Sequence, residues 1–169
     1  KRLDLWKYFV LDQLANVINL IKNDPHSRRI LMTSYNPKQA EEGVLYPCHS
    51  ITIQFYLEGD YLDMFCFNRS QDTFLGVPYN IASSSLLLVL VAQLTNKTPR
   101  FFNMSMGDTH LYEDHISCAQ EQIQRIPYSF PNIKIRGITD ISEIDSLTED
   151  DFTVKNYISY KTIKAKMIV

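Results

Sequence analysis

Cys48 lies between Pro47 and His49 at the entrance to an alternating apolar run. A cysteine reacts as its thiolate, and a nearby cation favours that form. Arg69, followed by Ser70, stands one hairpin further along the chain and can approach across it. Asn80, at the start of a long apolar segment, carries an amide donor and acceptor side by side. That pair suits the O4 and N3–H edge of uracil, whereas a carboxylate would suit the amino edge of cytosine. A thiol, an arginine with a serine, and an amide that converge would hold a flat anionic ligand. Each has a plainer reading too: Cys48 as a small buried hydrophobe, Asn80 as a cap or turn residue, and His49 as either a base or an ordinary satisfied histidine.

The surrounding elements must bring these groups together. Leu11, Leu14, Val17, Ile18 and Ile21 recur at helical spacing and predict a helix to about Lys22, ended by Asn23-Asp24-Pro25. Ser27-Arg28-Arg29 leads into a strand over 30–35, the two arginines being either solvated surface or a phosphate clamp. Residues 36–44 read as a loop. Ile51, Ile53, Phe55 and Leu57 alternate with polar or aromatic neighbours, Glu58-Gly59-Asp60 turns the chain, and residues 61–67 return as the second strand of a hairpin. The open end of that hairpin carries Asn68-Arg69-Ser70 back towards Cys48. Residues 75–94 predict a buried helix with Pro78 in its first turn. A strand over 101–106, a turn at Gly107-Asp108-Thr109-His110, and a helix over about 111–126 follow. Beyond Pro127 and Pro131 come a short strand at 133–135, an acidic surface stretch at 140–151, and a weakly alternating tail, 157–169, that suits an edge strand.

The 169 residues suffice for one domain with a sizeable core. A net charge of −2 offers no broad basic field for nucleic acid or an anionic membrane, so any phosphate must be held by a few local arginines. Three cysteines without a CxxC pair argue against a disulfide framework or a zinc site. A reducing, cytoplasmic setting is the expectation, with no metal, and Cys66 and Cys118 read as packing residues. The apolar run 86–92 is too short to cross a bilayer. The chain starts at Lys1 with a helix soon after, which reads as one part of a longer protein.

Six ordered strings resemble the thymidylate synthase family: Asp24-Pro25 with Ser27-Arg28-Arg29; Pro47-Cys48-His49; Arg69-Ser70 with Asp72; Leu75-Gly76 with Pro78; Asn80-Ile81-Ala82-Ser83; and Gly107-Asp108-Thr109-His110 with Tyr112. The resemblance runs from about Leu11 to Val169, the C-terminal part of that family's catalytic domain. It implies an α+β fold, with a mixed β-sheet packed against long helices and one sheet face forming a dimer interface, and a single catalytic domain over 1–169 whose N-terminal part is missing.

The resemblance further implies reductive methylation of dUMP to dTMP by 5,10-methylenetetrahydrofolate, a methyltransferase reaction. Cys48 would add to C6 of dUMP, C5 would attack the methylene group, and elimination with hydride transfer would release dTMP and dihydrofolate. Arg69 and Ser70 would hold the 5′-phosphate, with Arg28 and Arg29 reaching the partner subunit's phosphate in a homodimer. Asn80 would read the uracil edge with the main chain near Gln71 and Asp72, and His110 with Tyr112 would hold the ribose hydroxyl. Leu45, Asp72, Gly76, Tyr79, Ile168 and Val169 would face the folate, the tail closing over it. A fused dihydrofolate reductase domain, as in some members, is compatible with this reading. Two alternatives stay open: a pyrimidine nucleotide hydroxymethylase, and a catalytically inactive binding or interaction protein.

Departures from the family pattern are Asn68 for glutamine, Tyr35 for tryptophan, Tyr46 for proline and Tyr79 for phenylalanine. Asn68 shortens a polar arm beside the phosphate arginine. The stretch 49–54 is one residue longer than usual, which predicts a bulge in the strand after the cysteine. The family's mobile arginine loop and the glutamate that organises proton transfer have no counterpart in these residues.

Overall fold

Strict alternation over residues 51–57 puts one apolar face of a strand inside, and the fold grows from it. The computed structural model describes residues 11–39 and 50–168. Helix α1 (Gln13–Asn23) starts where the Asp12 side chain accepts from the Ala15 amide at 3.0 Å, and it buries Val17, Ile18 and Ile21. Strand β1 (Leu31–Thr33) is short, β2 spans Thr52–Glu58 and β3 spans Tyr61–Asp72. Helix α2 (Gly76–Leu94) then crosses to β4 (Thr98–His110). The sheet order is β1-β2-β3-β4, antiparallel except for the β3/β4 pair, which runs parallel. A mixed sheet with helices makes the class α+β.

The core lies between the sheet and the two longer helices. Ile53, Phe55 and Leu57 of β2 and Leu62, Met64 and Cys66 of β3 pack on Val17 and Ile21 of α1 and on Leu88, Val91 and Ala92 of α2. By length and composition α2 would suit a membrane, but its C-terminal half is buried against the sheet, with Leu88, Val91, Ala92 and Leu94 inside. Its N-terminal half is open, and Tyr79 is 76% exposed. A second cluster joins Ile18 and Leu94 to Ile138. The opposite sheet face exposes Tyr56, Phe65, Phe67 and Phe101. There the β3/β4 register slips by one residue after Leu62, and the Asp63 carboxylate fills the irregularity. It accepts from the Phe101 amide at 3.0 Å and from Arg100 at 3.0 and 2.7 Å. The Arg100 contact holds the Asp63 carboxyl below its usual range.

Several expectations are corrected. Gly107 to His110 is not a turn but the end of β4. A Cβ at Gly107 would lie 2.7 Å from the Arg69 carbonyl oxygen, so glycine permits the close strand approach. The helix expected over 111–126 is a 3-10 turn at Glu113–His115 followed by α3 (Ile116–Ile123). No irregularity interrupts the β2/β3 pairing; the unusual residue is Ser50, ahead of β2, at φ 52°. The short strand is found as β5 (Asn132–Ile135), paired with β6 (Phe152–Lys155).

The tail forms no strand over 157–168. Its carbonyls are instead taken by side chains of the α3 segment: Lys166 by His115 Nε2 at 2.8 Å, Lys164 by the Cys118 thiol at 3.7 Å, and Lys161 by Arg125 at 2.8 Å.

Candidate functional site

Two parallel strands that end side by side, with a helix starting just beyond, place their last residues around a common opening. Here Ser70 stands opposite Asp108, Gln71 opposite Thr109, and Asp72 opposite His110. The chain then turns into α2. Asp72 shapes the turn, because its Oδ1 accepts from the amides of Phe74 at 3.0 Å and Leu75 at 3.3 Å. Gly76 fits beside it, as a Cβ there would sit 3.4 Å from the Asp72 Cβ. One turn on, Asn80 reaches back to β3, and its Nδ2 donates to Gln71 Oε1 at 3.0 Å. Gln71 is buried, and its Nε2 has no partner.

A line of rings borders the other flank. His110 meets Tyr112 edge-on at 5.0 Å, Tyr112 meets His115 at 5.6 Å, and His115 meets Phe74 at 5.5 Å. His110 Nδ1 lies 3.3 Å from Asp108. His115 is fully buried, and a carbonyl partner accepts, so its Nε2 carries the proton donated to Lys166. Its Nδ1 has no hydrogen-bond partner and sits 3.9 Å from Asp72 Oδ1. The imidazole thus stands between the α2 turn and the tail.

Asn68 and Arg69 alternate on β3, so Asn68 faces inward while Arg69 is exposed. Asn68 Oδ1 accepts from the Ser50 amide at 2.5 Å and from the Cys66 thiol at 3.2 Å, and its Nδ2 has no partner. The short arm therefore anchors the entrance to β2. Burial pushes the Cys66 thiol up, against the lowering contact with Ser50. Cys48, with Leu45, Tyr46, Pro47, His49 and Val169, lies outside the described residues.

Beyond the α2 N-terminus a groove of about 690 Å³ runs between Tyr79 and Leu75 on one wall and Tyr128, Phe130, Tyr157 and Tyr160 on the other. A second cavity of about 710 Å³, between α1, the β1/β2 end and α2, is lined by Ser50 and by Ser83 and Ser84.

The family profile described as "Thymidylate synthase" matches residues 5–169. The chain belongs to the thymidylate synthase family. Among its relatives, the thymidylate synthase of Phytoplasma mali (strain AT) is 41% identical over 97% of this chain and 56% of its own length. The bifunctional dihydrofolate reductase-thymidylate synthase of Plasmodium chabaudi is 41% identical over 93% of this chain and 26% of its own length. The same bifunctional enzyme of Zea mays is 42% identical over 94% and 30%. The chain thus spans about half, or less, of the length of these relatives.

Of the residues that carry the thymidylate synthase resemblance, the structure brings Arg69, Ser70, Gln71, Asp72, Gly76, Asn80, His110 and Tyr112 to one end of β3, β4 and α2. Arg28 and Arg29 are not among them. They are exposed in the turn before β1, at the far edge of the sheet from β4. Tyr79 opens onto the aromatic groove, and Ile168 is half-buried. His115 and the Gln71 side chain were not singled out by sequence reasoning. The available signal was a histidine three residues past Tyr112 in a motif already noticed.

Proposed function

We propose that this chain supplies most of the nucleotide site and part of the folate site of a thymidylate synthase, which converts dUMP to dTMP with 5,10-methylenetetrahydrofolate. The observation that carries the reading is the convergence of family motif residues from β3, β4 and α2 on one opening, with the Asn80 amide held there by Gln71. Arg69 and Ser70 serve the 5′-phosphate, Asn80 the uracil edge, and His110 and Tyr112 the ribose. Cys48 is the nucleophile. Its segment leads into Ser50, which Asn68 ties to β3. The folate, when bound, supplies the one-carbon unit and the hydride. Asp72, Gly76 and Tyr79 line its side of the opening, with Leu45, Ile168 and Val169 completing the contact.

The remainder of the catalytic domain and the second subunit belong to the same proposal. The exposed aromatic sheet face, with Tyr56, Phe65, Phe67 and Phe101, supports a homodimer in which Arg28 and Arg29 serve the partner's phosphate. Bifunctional relatives support a fused dihydrofolate reductase domain.

Full-length protein given dUMP and the folate yields dTMP, and Cys48→Ala abolishes turnover. Turnover retained in that variant refutes the mechanism, and a hydroxymethylated product refutes the hydride step. Sedimentation at working concentration tests the dimer, and NADPH-dependent reduction of dihydrofolate tests the fusion.

A further inference from the structure

A fully buried histidine with one bare nitrogen needs a reason that packing does not supply. His115 lies against Phe74 and Tyr112 at 5.5 and 5.6 Å, yet its Nδ1 has no hydrogen-bond partner and stops 3.9 Å from Asp72 Oδ1. A buried nitrogen left unpaired costs stability that a phenyl ring in the same place would not. What the imidazole adds is a single bond, from Nε2–H to the Lys166 carbonyl at 2.8 Å. Its polar chemistry is thus directed at the tail.

The tail is held unevenly along its length. Tyr160 is docked by its ring, 4.8 Å from Tyr128 and 5.3 Å from the Arg125 guanidinium, and its hydroxyl donates to the Ile126 carbonyl at 3.1 Å. From Thr162 to Ile168, the hydrogen bonds to the rest of the described residues are the Cys118 thiol on the Lys164 carbonyl at 3.7 Å and His115 on that of Lys166. A thiol is a weak donor, so His115 makes the firmer of the two. The result is a flap fixed at Tyr160 and fastened near its end by one neutral hydrogen bond. Tyr157, Tyr160 and Ile163 form one wall of the groove whose other wall is Leu75 and Tyr79 of α2, and His115 fastens the flap beside the Asp72 turn.

We infer that His115 is a positioning residue for the folate, a latch whose bond to the Lys166 carbonyl holds the flap shut and whose release sets how fast the folate enters and leaves. This rests on the reading of Asp72, Tyr79 and Ile168 as folate-facing. His115 is buried and offers the folate no surface of its own. Where a flap must lift for entry and exit alike, weakening its latch speeds both and leaves affinity nearly unchanged. A residue in contact with the folate would change the affinity instead, and one that only supported the fold would change dUMP binding as well.

Association and dissociation of dihydrofolate, which carries no one-carbon unit to transfer, are measured by stopped flow on full-length protein saturated with dUMP. The proteins compared are wild type, His115→Phe, His115→Asn and His115→Gln. A glutamine amide reaches the position of the imidazole Nε2, an asparagine amide only that of Nδ1. His115→Phe raises both rates about fivefold, the change that about 1 kcal/mol makes, with the dihydrofolate Kd within about twofold of wild type and the dUMP Kd unchanged. His115→Gln keeps a donor for Lys166 and stays within about twofold of the wild-type rates. Unchanged rates in His115→Phe, or faster exit alone with the Kd weakened to match, overturn the inference, as does a glutamine variant as fast as the phenylalanine one. Should His115→Phe not fold, His115→Asn shows the same acceleration, and wild-type rates in it overturn the inference. Wild-type protein that binds dUMP but not dihydrofolate overturns the folate reading beneath it as well.

Discussion

His115→Phe isolates one interaction. The substitution keeps an aromatic ring beside Phe74 and Tyr112, whose centroids lie 5.5 and 5.6 Å from the imidazole. It removes the Nε2–H donor that meets the Lys166 carbonyl at 2.8 Å. A hydrogen bond of this kind contributes about 1 kcal/mol net. Lys166 is exposed, so water can serve its carbonyl once the tail lifts. The variant also loses the partnerless buried Nδ1, which offsets part of the cost to global stability. About 1 kcal/mol shifts the docked-to-lifted equilibrium of the tail roughly fivefold, whereas the whole protein should melt within about 3 °C of wild type. Limited trypsin digestion reads the first quantity. Cleavage after Lys164 and Lys166 tracks the lifted population when opening and closing are fast relative to cutting. A roughly fivefold faster cut at those lysines with an almost unchanged Tm is the expected result. An unchanged cutting rate, or a large fall in Tm, would show that His115 does not hold the tail by this bond.

Gly107→Ala puts a methyl group 2.7 Å from the Arg69 carbonyl oxygen, so β3 and β4 must part. A cost of about 2 kcal/mol lowers the melting temperature by roughly 4–8 °C, read by calorimetry. Ser50 adopts φ 52°; Ser50→Val should cost about 2 kcal/mol by urea titration, and Ser50→Gly nearly nothing. The Asp63 carboxyl is held below its usual 3.8 by Arg100. The stability this gives is complete above that value and is lost as pH falls through the depressed one, so the wild-type advantage over Asp63→Asn should be flat at neutral pH and shrink below about pH 4. Cys66 is buried with its thiol pushed up; iodoacetamide should spare it in native protein at pH 8 and label it after unfolding, read by peptide mass.

Local patterning carries the hairpin and the long helix. Alternation over 51–57 predicts β2, and Glu58-Gly59-Asp60 marks the hairpin that β2 and β3 form. The long apolar stretch after Leu75 is α2. The failures come where a distant part of the chain decides. Gly107 and Asp108 look like turn residues, yet the glycine is there because the Arg69 carbonyl passes so close. The tail alternates like a strand, but three of its carbonyls are already engaged by the side chains of His115, Cys118 and Arg125. The motif strings are short and ordered, and the structure gathers many of their residues at strand ends and a helix start. His115 carried no such mark, since Asp72 and Lys166, the groups that give it meaning, are remote in sequence.

Tyr160 docks by its ring, against Tyr128 and Arg125, and by its hydroxyl, on the Ile126 carbonyl, whereas the lysines around and beyond it are gripped through the main chain. His115, Cys118 and Arg125 each meet a peptide oxygen, and nothing in those three contacts inspects the side chain attached. Replacing Lys161, Lys164 or Lys166 with other residues leaves every acceptor where it was. Deleting or inserting a single residue between Tyr160 and Lys166 would slide the acceptors past their donors, so this segment reads as a ruler, tolerant in spelling and strict in length.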